Sequence, residues 1–199
     1  MSIYSIAQKK VLFFDDFVAQ WGGSYQAHNS GSANRIWSPV SGRDGVLQLQ
    51  VNSGYNSLRF NPNSLYYDGR KLTVSTDAAI ARNSGTQQVY FGLSDKHLGE
   101  LSITNGVYFL GDTTTNQWRA FSVKSGVTLD SGVAGTLGSN NVFQSLQLTL
   151  EGTQAIASVD GVELPLALQV NFAASLMFGI VNSGASWSSF LLDWIEISR

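Results

Sequence analysis

Three aspartates lie beside apolar runs near the two ends of the chain. Asp15 and Asp16 follow the apolar residues VLFF at 11–14, and Asp193 interrupts the run SFLLDWIEIS at 189–198. Their carboxylates could ligate a hard cation such as calcium, or they could accept backbone amides in a turn. For Asp15 and Asp16 we favour the interpretation that they end a strand and accept hydrogen bonds in the turn that follows. A role as metal ligands is the second interpretation, and a catalytic role is the third.

No catalytic motif accompanies these carboxylates. The chain contains no cysteine, which excludes disulfides, thiolate metal sites and cysteine nucleophiles. Its two histidines, His28 and His97, occur without a Gly-x-Ser-x-Gly elbow, and no phosphate-binding glycine motif follows a strand. We therefore predict that the protein is not an enzyme.

Aromatic residues in polar surroundings are the second chemical signal. Sugars are bound by flat aromatic faces together with amide, carboxylate and guanidinium groups. The segment TTTNQWRAF at 113–121 and the segment NSGASWSSF at 182–190 each place a tryptophan among such residues. The predicted carbohydrate- or partner-binding residues are Trp187, Trp118, Arg119, Asn116, Trp37 and Tyr25. For each aromatic residue, packing in the core remains the alternative.

Composition limits the classes of partner. Charged residues make up 13% of the 199 residues and the formal net charge is −2, so electrostatics give no reason to expect nucleic acid. An apolar fraction of 43% is too high for a disordered chain. We expect neither a secretory signal nor membrane insertion, because no apolar run approaches the ~18 residues of a membrane span.

Alternation of apolar and polar residues predicts an all-β chain of short strands joined by polar turns. The dipeptide Asp160-Gly161 predicts a two-residue hairpin turn, and the apolar runs at 175–181 and 189–198 predict central strands. Segment 20–44 is rich in glycine, serine and asparagine, and we interpret it as a long loop. The expected organisation is an N-terminal arm or edge segment over 1–10 and one sandwich domain over 11–199.

Several segments in order resemble the concanavalin A-like lectin/glucanase superfamily. They are FFDDF followed by a tryptophan, GVLQLQV, QQVYFGL, LQLTLEGTQAIASVDGVEL and the closing LLDWIEI. The resemblance implies a two-sheet antiparallel jelly-roll β-sandwich whose first strand lies beside its last. That pairing would bring Asp16 near Asp193, which makes these two residues candidate ligands of a structural calcium ion.

The same resemblance bears on activity. Retaining glucanases of the superfamily carry a Glu-x-Asp-x-x-Glu pattern on one strand, and none of the four glutamates here is followed two residues later by aspartate. The polar surface also resembles bacteriophage tail and capsid-decoration proteins. We expect a non-catalytic virion structural protein that forms a homo-oligomer or binds other virion proteins.

Two other functions remain open. The first alternative is an extracellular or cell-surface carbohydrate-binding, receptor-binding module that contacts a glycan. The second is a glycoside hydrolase with an atypical site.

Overall fold

The computed structural model describes residues 11–17, 25–40, 42–60, 65–82, 85–96 and 103–199. The predicted arm over 1–10 lies outside these residues. Sixteen strands and no helix occur in the described part. In chain order the strands are β1 (Val11–Asp15), β2 (Tyr25–Asn29), β3 (Ala33–Val40), β4 (Arg43–Val51), β5 (Gly54–Phe60), β6 (Leu65–Tyr67), β7 (Leu72–Ala81), β8 (Gln87–Ser94), β9 (Gly106–Asp112), β10 (Gln117–Lys124), β11 (Val127–Thr136), β12 (Gln144–Glu151), β13 (Gln154–Val159), β14 (Val162–Ala167), β15 (Phe172–Asn182) and β16 (Ser188–Ser198).

The strands form two antiparallel sheets packed face to face. Sheet I has the order β14-β13-β12-β7-β16-β4-β3, and β1 also pairs with β16. Sheet II has the order β11-β10-β9-β8-β15-β5-β2, and β6 also pairs with β15. The predicted all-β sandwich is confirmed. Within the described ranges, the structure contains no helix of the length and apolarity that a membrane span requires.

Alternating side chains build the core between the sheets. On β12, Leu146, Leu148 and Leu150 are fully buried, while the intervening side chains of Gln147 and Thr149 face away from the core. The same period of two occurs on β8 and β9 of sheet II. Each strand of this kind therefore presents a second face outside the core, and on sheet II that face carries the candidate site.

The two long apolar runs occupy central positions, as predicted. β15 lies between β8 and β5, and β16 lies between β7 and β4. Met177 of β15 is fully buried although it lies outside the main core cluster. Burial on both faces explains why β15 is apolar almost throughout, without the alternation of the neighbouring strands.

The first strand pairs with the last, as the resemblance implies: Phe14 lies opposite Glu196 and Asp15 opposite Ile195. The Asp15 carboxylate accepts the Phe17 N–H at 2.9 Å and the Tyr25 hydroxyl at 3.0 Å. Asp15 therefore ends the strand and holds the following turn, which confirms the favoured interpretation of this residue.

The Asp160-Gly161 hairpin is also confirmed. These residues join β13 to β14 with φ values of 50° and 81°, positive at both positions as a type I′ turn requires.

The interpretation of 20–44 as a long loop is wrong for its described residues. This segment contains β2 and β3 and the first residues of β4. β2 and β3 are the outermost strands of their sheets, so each pairs on one side only. Edge strands tolerate polar residues that a central strand does not, and the polar sequence therefore hides their strand character.

Candidate functional site

The side of sheet II that faces away from the core carries aromatic and polar side chains together. On β8, β9 and β10 the core-facing residues include Val89, Phe91, Val107, Phe109, Trp118 and Ala120. Their alternating neighbours on the same three strands face outward. Leu110 and Gln117 are among them, and we give the name aromatic face to six others: Gln88, Tyr90, Tyr108, Asp112, Arg119 and Phe121.

Three rings of this face lie in contact across adjacent strands. The Tyr108 and Phe121 rings stack with centroids 5.5 Å apart and an interplanar angle of 18°. The Tyr90 and Tyr108 centroids are 6.1 Å apart at an angle of 36°. All three rings are half-buried, so each combines a fixed position with an open surface. We call this continuous row of three rings across β8, β9 and β10 the platform.

Two glycines lie immediately beside the platform. Gly92 of β8 pairs with Tyr108, and Gly179 of β15 pairs with Tyr90. A Cβ on Gly179 would lie 2.7 Å from the Cβ of Ser57, and a Cβ on Gly92 would lie 2.6 Å from the Cα of Tyr108. A side chain at either position would clash with its neighbours, so only glycine fits in these close contacts beside the tyrosines.

Hydrogen bonds connect the polar groups at one end of the platform. The Tyr90 hydroxyl donates to Gln88 at 3.3 Å, and Gln88 Nε2 donates to Asp112 at 3.1 Å. The Thr114 backbone N–H also donates to Asp112, at 2.7 Å. The chain of bonds fixes the orientation of these side chains before any ligand arrives.

The ionisation states follow from these surroundings. Burial alone would raise the pKa of the Asp112 carboxyl, but the hydrogen bonds from Gln88 and Thr114 outweigh it and hold the pKa below its ordinary value. Burial, with smaller contributions from Tyr108 and Asp112, raises the pKa of Tyr90 to about 12. Near neutral pH the face therefore offers an ionised carboxylate and a neutral phenol.

Arg119 of β10 completes the face, in the same cross-strand row as Tyr90 and separated from it by Leu110 of β9. Its guanidinium carbon lies 5.2 Å from the centroid of the Phe121 ring, within the range of a cation–π contact. Its Nε atom is buried and has no hydrogen-bond partner among the described residues.

The carboxylates of sheet II do not form a catalytic pair. In the described strands of this sheet the carboxylates belong to Asp112 and Asp130. Asp130 Oδ2 accepts the Ala167 N–H of sheet I at 3.1 Å, so it is engaged between the sheets. The usual mechanism of glycoside hydrolysis uses two carboxyl groups on either side of one bond, and the described strands of sheet II place Asp112 alone on the aromatic face.

Of the binding residues predicted from the sequence, Arg119 belongs to the aromatic face. Trp118 does not: it is 1% exposed, and its Nε1 donates to Gln144 Oε1 at 2.9 Å in the core. The prediction of a ligand-contacting Trp118 is therefore corrected, because the period of two turns its ring inward while Arg119 faces out. Asn116 lies in the turn between β9 and β10, where its Oδ1 accepts a hydrogen bond from Arg82 at 2.9 Å.

The remaining predicted residues lie apart from this face. Tyr25 is partly buried and packs edge-on against Phe60 and Phe178 beside the core, and its predicted ligand contact stays a prediction. Trp187 is 39% exposed in the loop between β15 and β16. Trp37 pairs with Leu47 through the β3 backbone, and its side chain is outside the described part.

Sequence reasoning missed Tyr90, Tyr108 and Phe121. The signal was present in the segments QQVYFGL, GVYFL and WRAF. Each contains one aromatic residue that is buried and a second, an odd number of positions away, whose side chain must face the opposite side of the strand. Three consecutive strands with an aromatic residue on the outward parity predict a platform once the strands are known to be neighbours.

The candidate calcium ligands do not fit a metal ion. The Asp193 carboxylate forms an ion pair with Arg43, which also binds Asp77 at 2.9 Å. One guanidinium thus already occupies both carboxylates of this cluster, and Asp16 is exposed next to the buried Asp15. No group of three His, Cys, Asp or Glu side chains suited to a metal occurs in the part of the chain that the structure describes.

Comparison with known proteins extends the result for the fold. No protein-family model and no curated protein sequence matches the chain. The carbohydrate recognition domain of Emp47p is similar in structure, with a TM-score of 0.67, 15% identity and coverage of 94% of this chain and 96% of that domain. The β-glucanase of Bacillus licheniformis gives a TM-score of 0.66 at 14% identity, covering 94% of this chain and 97% of the enzyme.

A third solved structure agrees with these two. The endo-1,3-β-glucanase of Streptomyces sioyaensis has a TM-score of 0.68 at 13% identity, with 96% of each chain covered. At such identities the likeness shows the fold. It confirms the predicted fold, a two-sheet antiparallel jelly-roll sandwich of the concanavalin A-like type.

Proposed function

We propose that this chain is a non-catalytic, lectin-like module that binds a carbohydrate on the aromatic face of sheet II. The observation that carries the proposal is the row of three half-buried rings, Tyr90, Tyr108 and Phe121, with hydrogen-bonding groups at both ends. Sugar rings present apolar C–H faces and a rim of hydroxyls, and this face offers a matching partner for each.

The polar residues have distinct roles in this proposal. Ionised Asp112 accepts hydrogen bonds from hydroxyls, Gln88 can accept or donate, and Arg119 donates. The platform packs against the C–H face of a sugar ring. The solved structures of similar fold support a carbohydrate ligand, since one is described as a carbohydrate recognition domain and others as glucanases.

The absence of catalysis is part of the proposal. Its support is that the described strands of sheet II present one carboxylate on the aromatic face, with a pKa below the ordinary value. An acid catalyst needs a raised pKa, so that it still holds a proton near neutral pH. Asp112 is therefore suited to binding rather than to proton transfer.

The virion structural role predicted from the sequence stays a prediction. A glycan-binding module is compatible with it, because a particle that recognises a cell surface needs such a module. We keep a virion location and a homo-oligomer as further proposals, which light scattering of the purified protein and analysis of assembled particles would test.

The test is a glycan array followed by a turnover assay on every polysaccharide that binds. We expect binding to at least one glycan and no release of reducing ends over a long incubation. Release of reducing ends that disappears in the Asp112→Asn variant would contradict the non-catalytic proposal. Failure to bind any glycan would contradict the proposal as a whole.

A further inference from the structure

We infer that the glycan bound at the aromatic face is acidic, and that Arg119 binds its carboxylate or sulfate group. This inference rests on the proposed function and specifies the class of its ligand. It is based on the Arg119 guanidinium, which has no hydrogen-bond or ion-pair partner among the described residues.

The Arg119 guanidinium is held in place without a counter-ion. Its carbon atom lies 5.2 Å from the Phe121 ring centroid, and Phe121 is itself stacked on Tyr108. Its strand neighbours are Leu110 of β9 and Val133 of β11, which are apolar. Its orientation is therefore set by an aromatic ring and two apolar neighbours.

The donors of this guanidinium have no partner in the described residues. The buried Nε carries an N–H without an acceptor, and none of the ion pairs of the described chain includes Arg119. A buried donor without an acceptor lowers the stability of the fold. The terminal N–H groups of Arg119 also form no hydrogen bond or ion pair within the described residues, and they are not buried, so the acceptor of a ligand can reach them.

The carboxylate of the aromatic face does not fill this role. Asp112 accepts hydrogen bonds from Gln88 and Thr114 and pairs across the strands with Gln117, two residues before Arg119. No ion pair joins Asp112 to Arg119 within the described structure. The Asp112 carboxylate is thus committed to Gln88 and Thr114, and the Arg119 guanidinium on the neighbouring strand is left without an ion pair.

The charge distribution between the sheets agrees with an anionic ligand. The protein has a formal net charge of −2, but Glu151, Glu163 and Glu196 all lie on strands of sheet I. On sheet II, Arg59 of β5 is in register with Met177 and Gly92, so its side chain is on the outward side of the sheet. Arg59 lies four strands, or roughly 19 Å, from Arg119. This side of the molecule is therefore more positive than the protein as a whole.

The chemistry of arginine favours a planar oxyanion over a hydroxyl. A guanidinium presents several N–H donors in a rigid fork that matches a carboxylate or sulfate, and stacking on an aromatic ring pre-orients it. Lysine would provide the charge without the fork. The predicted ligand is therefore a sugar that bears a uronate, a sialate or a sulfate group.

The experiment uses an array of matched glycan pairs, tested at two salt concentrations. The pairs are polygalacturonate and its methyl ester, sialylated oligosaccharides and their desialylated forms, and heparin and its desulfated form. The full chain is compared with Arg119→Gln, Arg119→Lys and the control Arg70→Gln, which removes the same charge at a 73% exposed side chain that is paired with Asp68.

We expect the wild type to bind one acidic member at least about tenfold more tightly than its neutral counterpart, and less tightly at high salt. Arg119→Gln abolishes this preference, Arg119→Lys keeps part of it, and Arg70→Gln keeps it fully. If Arg119→Gln does not fold, Arg119→Lys and the salt dependence decide the matter.

Equal binding of acidic and neutral members, unchanged in Arg119→Gln, would overturn the inference and leave the proposed function standing. A wild-type protein that binds no member of any pair and no other glycan on the array would overturn both. The carboxylate and sulfate pairs of the array separately identify which oxyanion is bound.

Discussion

Two aromatic residues of β10 have opposite environments because they differ in parity along one strand. Trp118 is buried in the core and hydrogen-bonded to Gln144, whereas Phe121 lies on the outward face between Tyr108 and Arg119. Because Trp118 is buried, we expect it to contribute to the stability of the fold. Because Phe121 is partly exposed on the outward face, we expect it to contribute to ligand binding.

We expect Trp118→Ala to lower the free energy of unfolding by about 3–5 kcal/mol, as is usual for a large core side chain. Phe121→Ala should lower it by clearly less, since one face of this ring does not pack in the core, while it weakens glycan binding. Urea unfolding of both variants measures the difference. An equal loss of stability in the two variants would place Phe121 in the core and argue against the aromatic face.

The residue scale is where the sequence misleads most. Trp118 is preceded by a polar turn and followed by Arg119, so its surroundings in the sequence are those of a surface tryptophan. Its environment is decided by the parity of β10 relative to the core. Parity in turn depends on which strands are neighbours, and that is a property of the whole sheet.

Among the elements, the strands with one buried face could be predicted from the sequence. β4, β7 and β12 show alternation, and β15 and β16 show the continuous apolar runs of central strands. The edge strands β2 and β3 could not be predicted, because an edge strand exposes more of its side chains and its sequence is correspondingly polar.

The turn between β13 and β14 gives a prediction at the same scale. No heavy atom lies within 4 Å of a Cβ added to Gly161, so an alanine side chain would not clash. The φ of 81° is, however, a backbone conformation that alanine rarely adopts. We expect Gly161→Ala to lower the free energy of unfolding by about 1 kcal/mol. Ser158→Ala on the neighbouring strand is the control and should change it by less than about 0.5 kcal/mol. A Gly161→Ala variant as stable as wild type would show that the turn adopts another conformation.

At the scale of the whole molecule, the two sheets divide the charged groups between structure and binding. On sheet I, Arg43 bridges Asp77 and Asp193, which links β4, β7 and β16. On sheet II, the described carboxylate and guanidinium of the aromatic face are not paired with each other. Ion pairs that are satisfied internally stabilise the sandwich, and charged groups left open are free to bind a ligand.

Removal of metal tests the structural role assigned to Asp193. Because Arg43 already forms an ion pair with this carboxylate, we expect the melting temperature to be the same before and after dialysis against a chelator. The measurement is a thermal melt of both samples, with calcium added back to the second. A lower midpoint after chelation that calcium restores would mean that a metal ion stabilises the fold.

The most direct test of the central claim is a calorimetric titration of one glycan identified on the array. Wild type is compared with Tyr108→Ala, which removes the middle ring of the platform, and with Phe14→Ala, which removes an aromatic side chain that is 54% exposed on sheet I. We predict an affinity loss of about tenfold or more in Tyr108→Ala and none in Phe14→Ala. Unchanged affinity in a folded Tyr108→Ala variant would contradict the claim that the aromatic face is the binding site.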